Sequence, residues 1–178
     1  LTLYELWTKS HDTLEQANRY SNPSLNVYRF LFPDVKQIAL PIGNESAVNG
    51  PNQLKFTFFN GDGIYDNGWL SMASRPRETL MIKSTAIKKK FSDCFYSADI
   101  TPLVDTERAH VYANRFAGKD KTVWTLYNGR YTTVRGAVLA VEHRPGATYY
   151  DAWNEKTLSP QVVDDRAIIS QKLDPQAV

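Results

Sequence analysis

The residues best suited to chemistry form an acidic, glycine-rich stretch that directly follows a run of aromatic residues. It reads NGDGIYDNGW from Asn60 to Trp69. Asp62 and Asp66 are two nearby carboxyl groups, and glycoside hydrolysis needs one carboxylic acid together with a base or nucleophile. Trp69 adds a flat ring on which a sugar can stack. The stretch therefore predicts carbohydrate contact, with Asp62 and Asp66 as candidates for an acid/base pair.

The same acidic stretch is compatible with a plain turn and with an ion site. Glycine and aspartate are favoured in turns for backbone reasons alone, and in that case the stretch binds nothing. Asp62 and Asp66 could also ligate calcium, although the spacing does not match an EF-hand loop. The three interpretations differ in whether these carboxylates face a sugar, an ion or the backbone of their own turn.

A second candidate set consists of aromatic residues in the C-terminal half of the chain. Side chains alternate between the two faces of a strand, so Trp124 and Tyr127 are expected on opposite faces, and so are Tyr149 and Tyr150. Only the outward member of each pair could contact a ligand. Trp124 and Trp153 are expected mainly in the core, but Tyr149 and Trp153 remain candidates for carbohydrate binding because such rings combine flat apolar surface with a polar group.

Several other kinds of chemistry have no basis in the sequence. His11, His110 and His143 are isolated and lack the spacing of metal ligands, so no metal site is expected. Cys94 is the only cysteine, which excludes an intrachain disulfide and predicts a small buried apolar side chain. Phosphate-binding, dinucleotide and nucleophile-elbow motifs are missing, and no cofactor is expected.

Charge and hydropathy also argue against two classes of partner. A net charge of +2 over 178 residues gives no electrostatic basis for binding nucleic acid or an anionic membrane. The run Lys88, Lys89 and Lys90 predicts a solvated helix face. No apolar run is long enough to span a bilayer. We therefore expect no nucleic-acid partner and no membrane partner.

The N-terminal half predicts a mixture of helices and strands. An amphipathic pattern predicts a helix over residues 3–20. The short apolar runs 27–33 and 36–43 both contain a proline near their end, which is typical of a strand or loop edge. Residues 44–52 are polar and predict a loop. In residues 53–61, QLKFTFFNG, large apolar side chains alternate with smaller or polar ones, which predicts a half-buried strand.

A second helix is predicted from about Arg75 to Tyr96. Ser74 is its expected N-cap, and Pro76 suits the first turn, where a missing N–H group costs nothing. The following segment, residues 100–108, has the composition of a linker. A domain boundary is predicted there, between a mixed segment at residues 1–98 and a β domain at residues 105–178.

The C-terminal segment predicts a series of short strands. They read VYANRF, TVWTLYN, TVRGAVLAVEH, ATYYDAW and RAIISQKL. The turn segments AGKDK, NGR, RPG and NEKTLSP separate them. Short strands at such regular spacing indicate an antiparallel sandwich or barrel. The sequence as a whole therefore predicts an α+β fold, with a C-terminal antiparallel β-sandwich after a mixed helix and strand segment.

The chain also resembles the C-terminal part of a family of bacterial, largely uncharacterised glycoside-hydrolase-like proteins. The resemblance rests on FFNGDGIYD, the helix after it, FSDCFYSADITPLVDTERAHVYANRF, and KTVWTLYNGRYTTVRGAVLAVEHRPGATYYDAWNEKTL. It covers roughly residues 25–178. Members of this family combine a (β/α)8 barrel with an all-β C-terminal domain. Residues 1–98 would then correspond to the end of the barrel, and residues 105–178 to a β-sandwich packed against it.

The resemblance implies an accessory role. Such a segment supports the barrel and can contact carbohydrate, while the main catalytic carboxylates of the parent protein lie on earlier strands. The expected partners are the rest of the barrel and a carbohydrate, and the expected location is secreted or periplasmic. Two alternatives stay open: an independent carbohydrate-binding module, and a glycosidase whose acid/base pair includes Asp62 or Asp66.

Overall fold

In the computed structural model of the chain, the described residues are 2–5, 25–40, 49–64 and 75–178. The helices are α1 (Val27–Leu31), α2 (Asn49–Phe59), α3 (Arg75–Lys90) and α4 (Ser92–Phe95). The strands of the first half are β1 (Thr2–Glu5), β2 (Gln37–Leu40) and β3 (Gly63–Ile64). Those of the second half are β4 (Ile100–Val104), β5 (Val111–Ala117), β6 (Thr122–Asn128), β7 (Val134–Glu142), β8 (Tyr149–Asp151), β9 (Lys156–Leu158), β10 (Gln161–Val163) and β11 (Arg166–Leu173).

The first half of the chain contains a parallel sheet with the strand order β1-β2-β3. Thr2 pairs with Gln37 at one end of β1, and Ile38 pairs with Gly63 between β2 and β3. Parallel neighbours cannot be joined by a tight turn, and a helix usually makes the connection. Helix α2 is that crossover between β2 and β3, which makes residues 37–64 a β-α-β unit.

The second half of the chain is built from antiparallel strands. One sheet has the order β4-β5-β6 and another the order β10-β11-β7, while β8 and β9 form a separate hairpin. The longest pairing joins β7 to β11, from Val134 opposite Leu173 to Glu142 opposite Arg166. With helices and antiparallel sheets in one chain, the predicted α+β class is confirmed.

Strands β5 and β6 are packed on both faces, which places them between the helices and the second antiparallel sheet. On one face, Val111 and Ala113 share a core cluster with side chains of β7 and β11. On the other face, Phe116 joins a cluster with residues of α2, α3 and α4. Tyr127, which is 1% exposed, packs on the same side against Phe56 and Phe59 of α2.

The predicted strand at residues 53–61 was wrong, because residues 49–59 form helix α2. The Asn60-Gly61 pair that follows closes the C-terminus of this helix. Gly61 has a φ of +71°, its N–H donates to the Phe58 carbonyl, and the Asp62 N–H donates to the Thr57 carbonyl. Those two bonds are the Schellman arrangement that closes a helix C-terminus. Alternation over so short an aromatic run does not distinguish a strand from a buried helix.

Several smaller predictions were also wrong. Residues 3–5 belong to strand β1 and not to a helix, and residues 6–20 lie outside the described residues, as does Ser74. Residues 27–31 are helical, and the predicted loop at 44–52 contains the first turn of α2 from Asn49 onward. The predicted linker at 100–108 contains strand β4, which pairs with β5, and the predicted turn segment NEKTLSP contains strand β9.

Other predictions from the sequence were confirmed. Helix α3 begins at Arg75, with Pro76 in its first turn, and α4 continues it to Phe95 after a break at Phe91. The five predicted C-terminal strands contain β5, β6, β7, β8 and β11. Cys94 is fully buried among Phe58, Phe95 and Phe116, as expected for a small apolar side chain.

Candidate functional site

A cleft of about 500 Å³ lies beside strand β8. We call it the β8 cleft. Its wall includes Trp124, Tyr149, Tyr150, Asp151 and Trp153. These rings and the carboxylate come from β6, from β8 and from the turn that follows β8. The structure therefore brings the candidates Tyr149 and Trp153 together on one cleft.

Asp151 fixes the turn that carries Trp153. One carboxylate oxygen, Oδ1, accepts the backbone N–H groups of Trp153 and Asn154, each at 3.0 Å. The other, Oδ2, accepts the side-chain amides of Asn154 at 2.7 Å and Gln171 at 3.1 Å. A carboxylate that accepts bonds from the following backbone is a common way to stabilise a turn. Because Gln171 lies on β11, the bond also ties the turn to the sheet.

Lysines of helix α3 cover two of the aromatic rings at this cleft. The Lys83 ammonium lies 4.9 Å from the centre of the Trp153 ring, and the Lys90 ammonium lies 4.6 Å from the centre of the Tyr150 ring. Trp153 also packs against Phe58 of α2, with ring centres 5.6 Å apart. Ammonium groups at this distance attract the ring face. The two rings therefore anchor β8 and its turn to the helices.

The two tyrosines of β8 have different surroundings. Tyr149 packs against the core cluster that β5, β7 and β11 share, whereas Tyr150 is 42% exposed. The Tyr149 hydroxyl lies 2.8 Å from His143 Nδ1, and partial burial raises the pKa of this tyrosine above its usual range. The expected alternation along the strand is thus observed, and Tyr150 presents the more accessible ring.

The two aromatic residues of the β6 pair differ in exposure: Trp124 is half-buried and borders the β8 cleft, whereas Tyr127 is buried. Trp124 packs toward the cluster of β5, β7 and β11. Tyr127 points to the opposite face and is buried against helix α2. The two residues lie on opposite faces, as predicted, and only Trp124 borders a cleft.

Asp62 lies in a different part of the molecule and has no exposed surface. Its Oδ2 accepts a hydrogen bond from the Asn26 side chain at 3.1 Å, and its Oδ1 lies 4.0 Å from Arg29 Nε. Its backbone carbonyl accepts a bond from Lys88 Nζ at 2.7 Å. Asp62 therefore holds α1, the end of α2 and helix α3 together.

The position of Asp62 relative to the parallel sheet also bears on its role. It directly precedes β3 and so lies at the amino end of that strand. Barrel enzymes build their active sites at the opposite, carboxyl end. Asp66 and Trp69 follow β3 on that carboxyl side in the sequence, but both lie outside the described residues. The structure does not join Asp62 to the β8 cleft.

A second cavity, of about 700 Å³, surrounds part of this ionic cluster. We call it the Lys88 cavity. Its wall includes Arg29, Gln37, Asp62, Thr85 and Lys88. Burial lowers the pKa of Lys88 to about 8, although the Asp62 carboxylate acts in the opposite direction. The side chains of Arg29 and Gln37 are also buried.

Sequence reasoning missed that Lys88 is half-buried and faces Asp62. Lys89 and Lys90 are exposed, as predicted, but Lys88 faces Asp62. Helical spacing carried only a weak signal, because Lys88 lies seven residues after the apolar Met81. Ser84, four residues before Lys88, is polar, and only the structure shows that it is fully buried. Residues at these spacings share one helix face. Arg29 gave no comparable signal, since its short segment was not predicted to be helical.

Comparison with known proteins adds no family assignment, since neither a family model nor a curated protein matches this chain. Within the part of the chain that the structure describes, no group of three His, Cys, Asp or Glu side chains is placed to hold a metal ion. The helices among these same residues are all too short or too polar to cross a membrane.

Proposed function

We propose that this chain is the C-terminal accessory segment of a glycoside-hydrolase-like protein. In this proposal its antiparallel strands form a β-sandwich that braces the end of a (β/α)8 barrel. The rest of that barrel is then its main partner, and the family resemblance favours a secreted or periplasmic location. The proposal has three supports in the described residues.

The first support is the parallel sheet. Its strands are adjacent in the order in which they occur along the chain, and helix α2 joins β2 to β3 while α3 follows β3. A (β/α)8 barrel repeats this arrangement, with each strand followed by a helix and paired with the next strand. Residues 37–90 are thus compatible with the last units of a barrel.

The second support is the core between the two antiparallel sheets. Val111 and Ala113 of one sheet share a buried cluster with Val138, Val141 and Ile169 of the other. Inner faces that contribute side chains to one core are characteristic of a sandwich. The β8-β9 hairpin adds Tyr149 and Leu158 to the edge of the same core.

The third support, which carries the bracing role, is the joint between the helices and the β strands. Phe116 of β5 is fully buried. Its ring centre lies 5.1 Å from that of Phe95 in α4 and 6.2 Å from that of Phe30 in α1. Burying one such ring stabilises a fold by about 1.5–3 kcal/mol. The strands and the helices therefore complete one another's core.

Hydrogen–deuterium exchange of a Phe116→Ala variant tests the bracing role. If the strands support the helical part, losing this ring will speed exchange in residues 49–64 of the helical part and in residues 111–128. Ile82→Ala is the control, because Ile82 is 64% exposed and its loss should alter neither segment. Bracing is refuted if residues 49–64 exchange at the wild-type rate while residues 111–128 are destabilised.

A second candidate function is carbohydrate binding at the β8 cleft. The observation in its favour is the grouping of Tyr149, Tyr150 and Trp153 around one cleft, since such rings are common sugar-stacking surfaces. The lysines above Trp153 and Tyr150 leave less ring surface for stacking. A sugar would have to displace these ammonium groups or use the opposite ring face.

A polysaccharide binding screen separates this candidate from a purely bracing role. The wild-type chain would be compared with Tyr150→Ala, which removes an accessible ring, and with Trp153→Ala, which also removes packing against Phe58. Saturable binding that both variants weaken would establish the cleft as a carbohydrate site. Failure of the folded wild-type chain to bind any polysaccharide tested would leave bracing as its function.

A further inference from the structure

We propose that Lys88 is an amine-modification site that condenses with small aldehydes in the Lys88 cavity. This site is separate from the β8 cleft and does not depend on the bracing role. The lysine lies on α3, and the cavity beside it has room for a small organic molecule, at about 700 Å³. The reacting group is the side-chain amine, and the ligand class is a small aldehyde.

The geometry holds the amine at the cavity wall. Lys88 Nζ donates a hydrogen bond to the Asp62 carbonyl oxygen at 2.7 Å. That bond uses one N–H group, so the other positions on the nitrogen can face the cavity. Both Lys88 and Asp62 line the cavity. The amine is therefore fixed in place next to the space that an aldehyde would occupy.

The surroundings make this amine easier to deprotonate than an exposed one. The charged side chains of the described cavity wall come from α1, the loop after α1, the turn before β3, and α3. They are Arg29, Lys36, Asp62, Lys88 and Lys89. Burial of Lys88 lowers its pKa from 10.5 to about 8, and only Asp62 acts to raise it. At about pH 7.4 such an amine is roughly one-fifth neutral, against roughly one part in a thousand for a pKa of 10.5.

The reaction needs no other reactant. The lone pair of the neutral amine adds to the aldehyde carbon, and a proton moves from nitrogen to the carbonyl oxygen to give a carbinolamine. Loss of that hydroxyl group and the second nitrogen proton as water gives an imine. Amines desolvated in a pocket are the ones that form such adducts with carbonyl compounds.

The other lysines of the chain provide internal comparisons. Lys36 and Lys89 line the same cavity but are exposed. Lys55 of α2 also has a lowered pKa because of burial, but it is not part of the described cavity wall. If the aldehyde labels Lys88 faster than all three of these lysines, its reactivity needs both the burial of the amine and its place on the cavity wall.

The experiment is reductive trapping with glycolaldehyde and cyanoborohydride at about pH 7.4, with the adduct on each lysine quantified by peptide mass spectrometry. We expect Lys88 to be labelled at least about tenfold faster than Lys36 or Lys89, because roughly one-fifth of the Lys88 amine is neutral at this pH and the cavity holds the aldehyde beside it. Its labelling rate should level off above about pH 8, the pKa of its amine. Labelling of Lys88 at or below the rate of Lys89 would overturn the proposal.

Two variants complete the test. Lys88→Arg keeps the positive charge and should abolish the fast labelling, whereas Lys36→Arg should leave it unchanged. The comparison among lysines is made within the folded wild-type chain, so it stands even if Lys88→Arg does not fold. Faster labelling of Lys55 than of Lys88 would show that burial alone decides reactivity, and the cavity site would be rejected.

Discussion

Asn114 and Thr125 lie opposite each other on neighbouring strands, and both donate a side-chain hydrogen bond to the same backbone carbonyl, that of Phe59. The distances are 2.9 Å from Asn114 Nδ2 and 2.7 Å from Thr125 Oγ1. Phe59 is the last residue of α2, and the last carbonyls of a helix have no partner within it. Strands β5 and β6 thus cap the helix that packs on them.

Removing both of these donors should cost more than the sum of the single losses. In Asn114→Ala or Thr125→Val, the Phe59 carbonyl keeps one partner, and we expect each single variant to lose about 1–3 kcal/mol of unfolding free energy. The double variant loses both side-chain donors, so the interaction energy should be about 0.5–1 kcal/mol in the destabilising direction. Urea unfolding of all four proteins measures it.

The single variants also differ from each other. Asn114 Oδ1 additionally accepts the backbone N–H of Leu103 at 2.9 Å, so Asn114→Ala should be the more damaging change.

Two outcomes would contradict these expectations. If the double variant loses only the sum of the two single losses of unfolding free energy, the shared Phe59 carbonyl does not couple the two donors. Equal single losses would show that the Leu103 bond contributes nothing measurable.

Replacing Gly61 with alanine should strongly destabilise the fold. Its φ is +71°, and a Cβ atom there would lie 2.8 Å from Phe116 Cε1 and 3.0 Å from Phe95 Cδ1. The backbone strain and the clash together should cost about 2–4 kcal/mol. Gly146→Ala is a matched control, since its φ is +81° but a Cβ would meet nothing within 4 Å. Thermal or urea unfolding compares the two.

The control variant should lose only the backbone contribution, about 1 kcal/mol. If Gly61→Ala and Gly146→Ala cost the same, the contact with Phe116 would have no energetic consequence. That result would also weaken the role assigned to Phe116 in joining the strands to the helices.

Stability should depend on pH through Lys88. Its pKa in the folded chain, about 8, is lower than the ordinary 10.5. Between those values the unfolded chain binds more protons at this position, so the unfolding free energy rises with pH. Relative to Lys88→Met, the wild-type chain should gain about 1–3 kcal/mol between about pH 8 and pH 10.5, from urea unfolding at several pH values.

The variant is needed because other lysines and tyrosines titrate in the same range. They are common to both proteins, and their effects cancel in the difference. A difference in unfolding free energy that stays constant from about pH 8 to pH 10.5 would mean that Lys88 keeps an ordinary pKa in the folded chain.

Cys94 should be protected from thiol reagents until the chain unfolds. Its side chain is fully buried, its Sγ lies 3.5 Å from the Lys121 carbonyl oxygen, and burial raises the pKa of the thiol. Only the thiolate reacts. We expect at least about a 100-fold slower reaction with a disulfide reagent in the native state than in denaturant, because the chain must open first. Fast reaction of the native chain would show that the helix–strand joint is open to solvent.

The local pattern alone determined much of the second half of the chain. The alternation and turn residues of VYANRF and TVWTLYN predicted β5 and β6 correctly. Pro76 predicted the first turn of α3. These features depend only on residues close in sequence. Alternation arises because successive side chains of a strand point to opposite faces of the sheet, and a proline restricts the conformation of its own backbone.

Only the tertiary structure decided that residues 49–59 form a helix and not a strand, and which groups surround the charged side chains. QLKFTFFNG alternates like a strand, yet its residues 53–59 are helical, with β5 and β6 packed on one side of the helix and α3 on another. Lys88 is in a run of three lysines, yet it is half-buried, and its Nζ donates a hydrogen bond to the backbone carbonyl of Asp62, 26 residues away. A sequence pattern records polarity along one segment, but burial and pKa depend on which distant segment covers it.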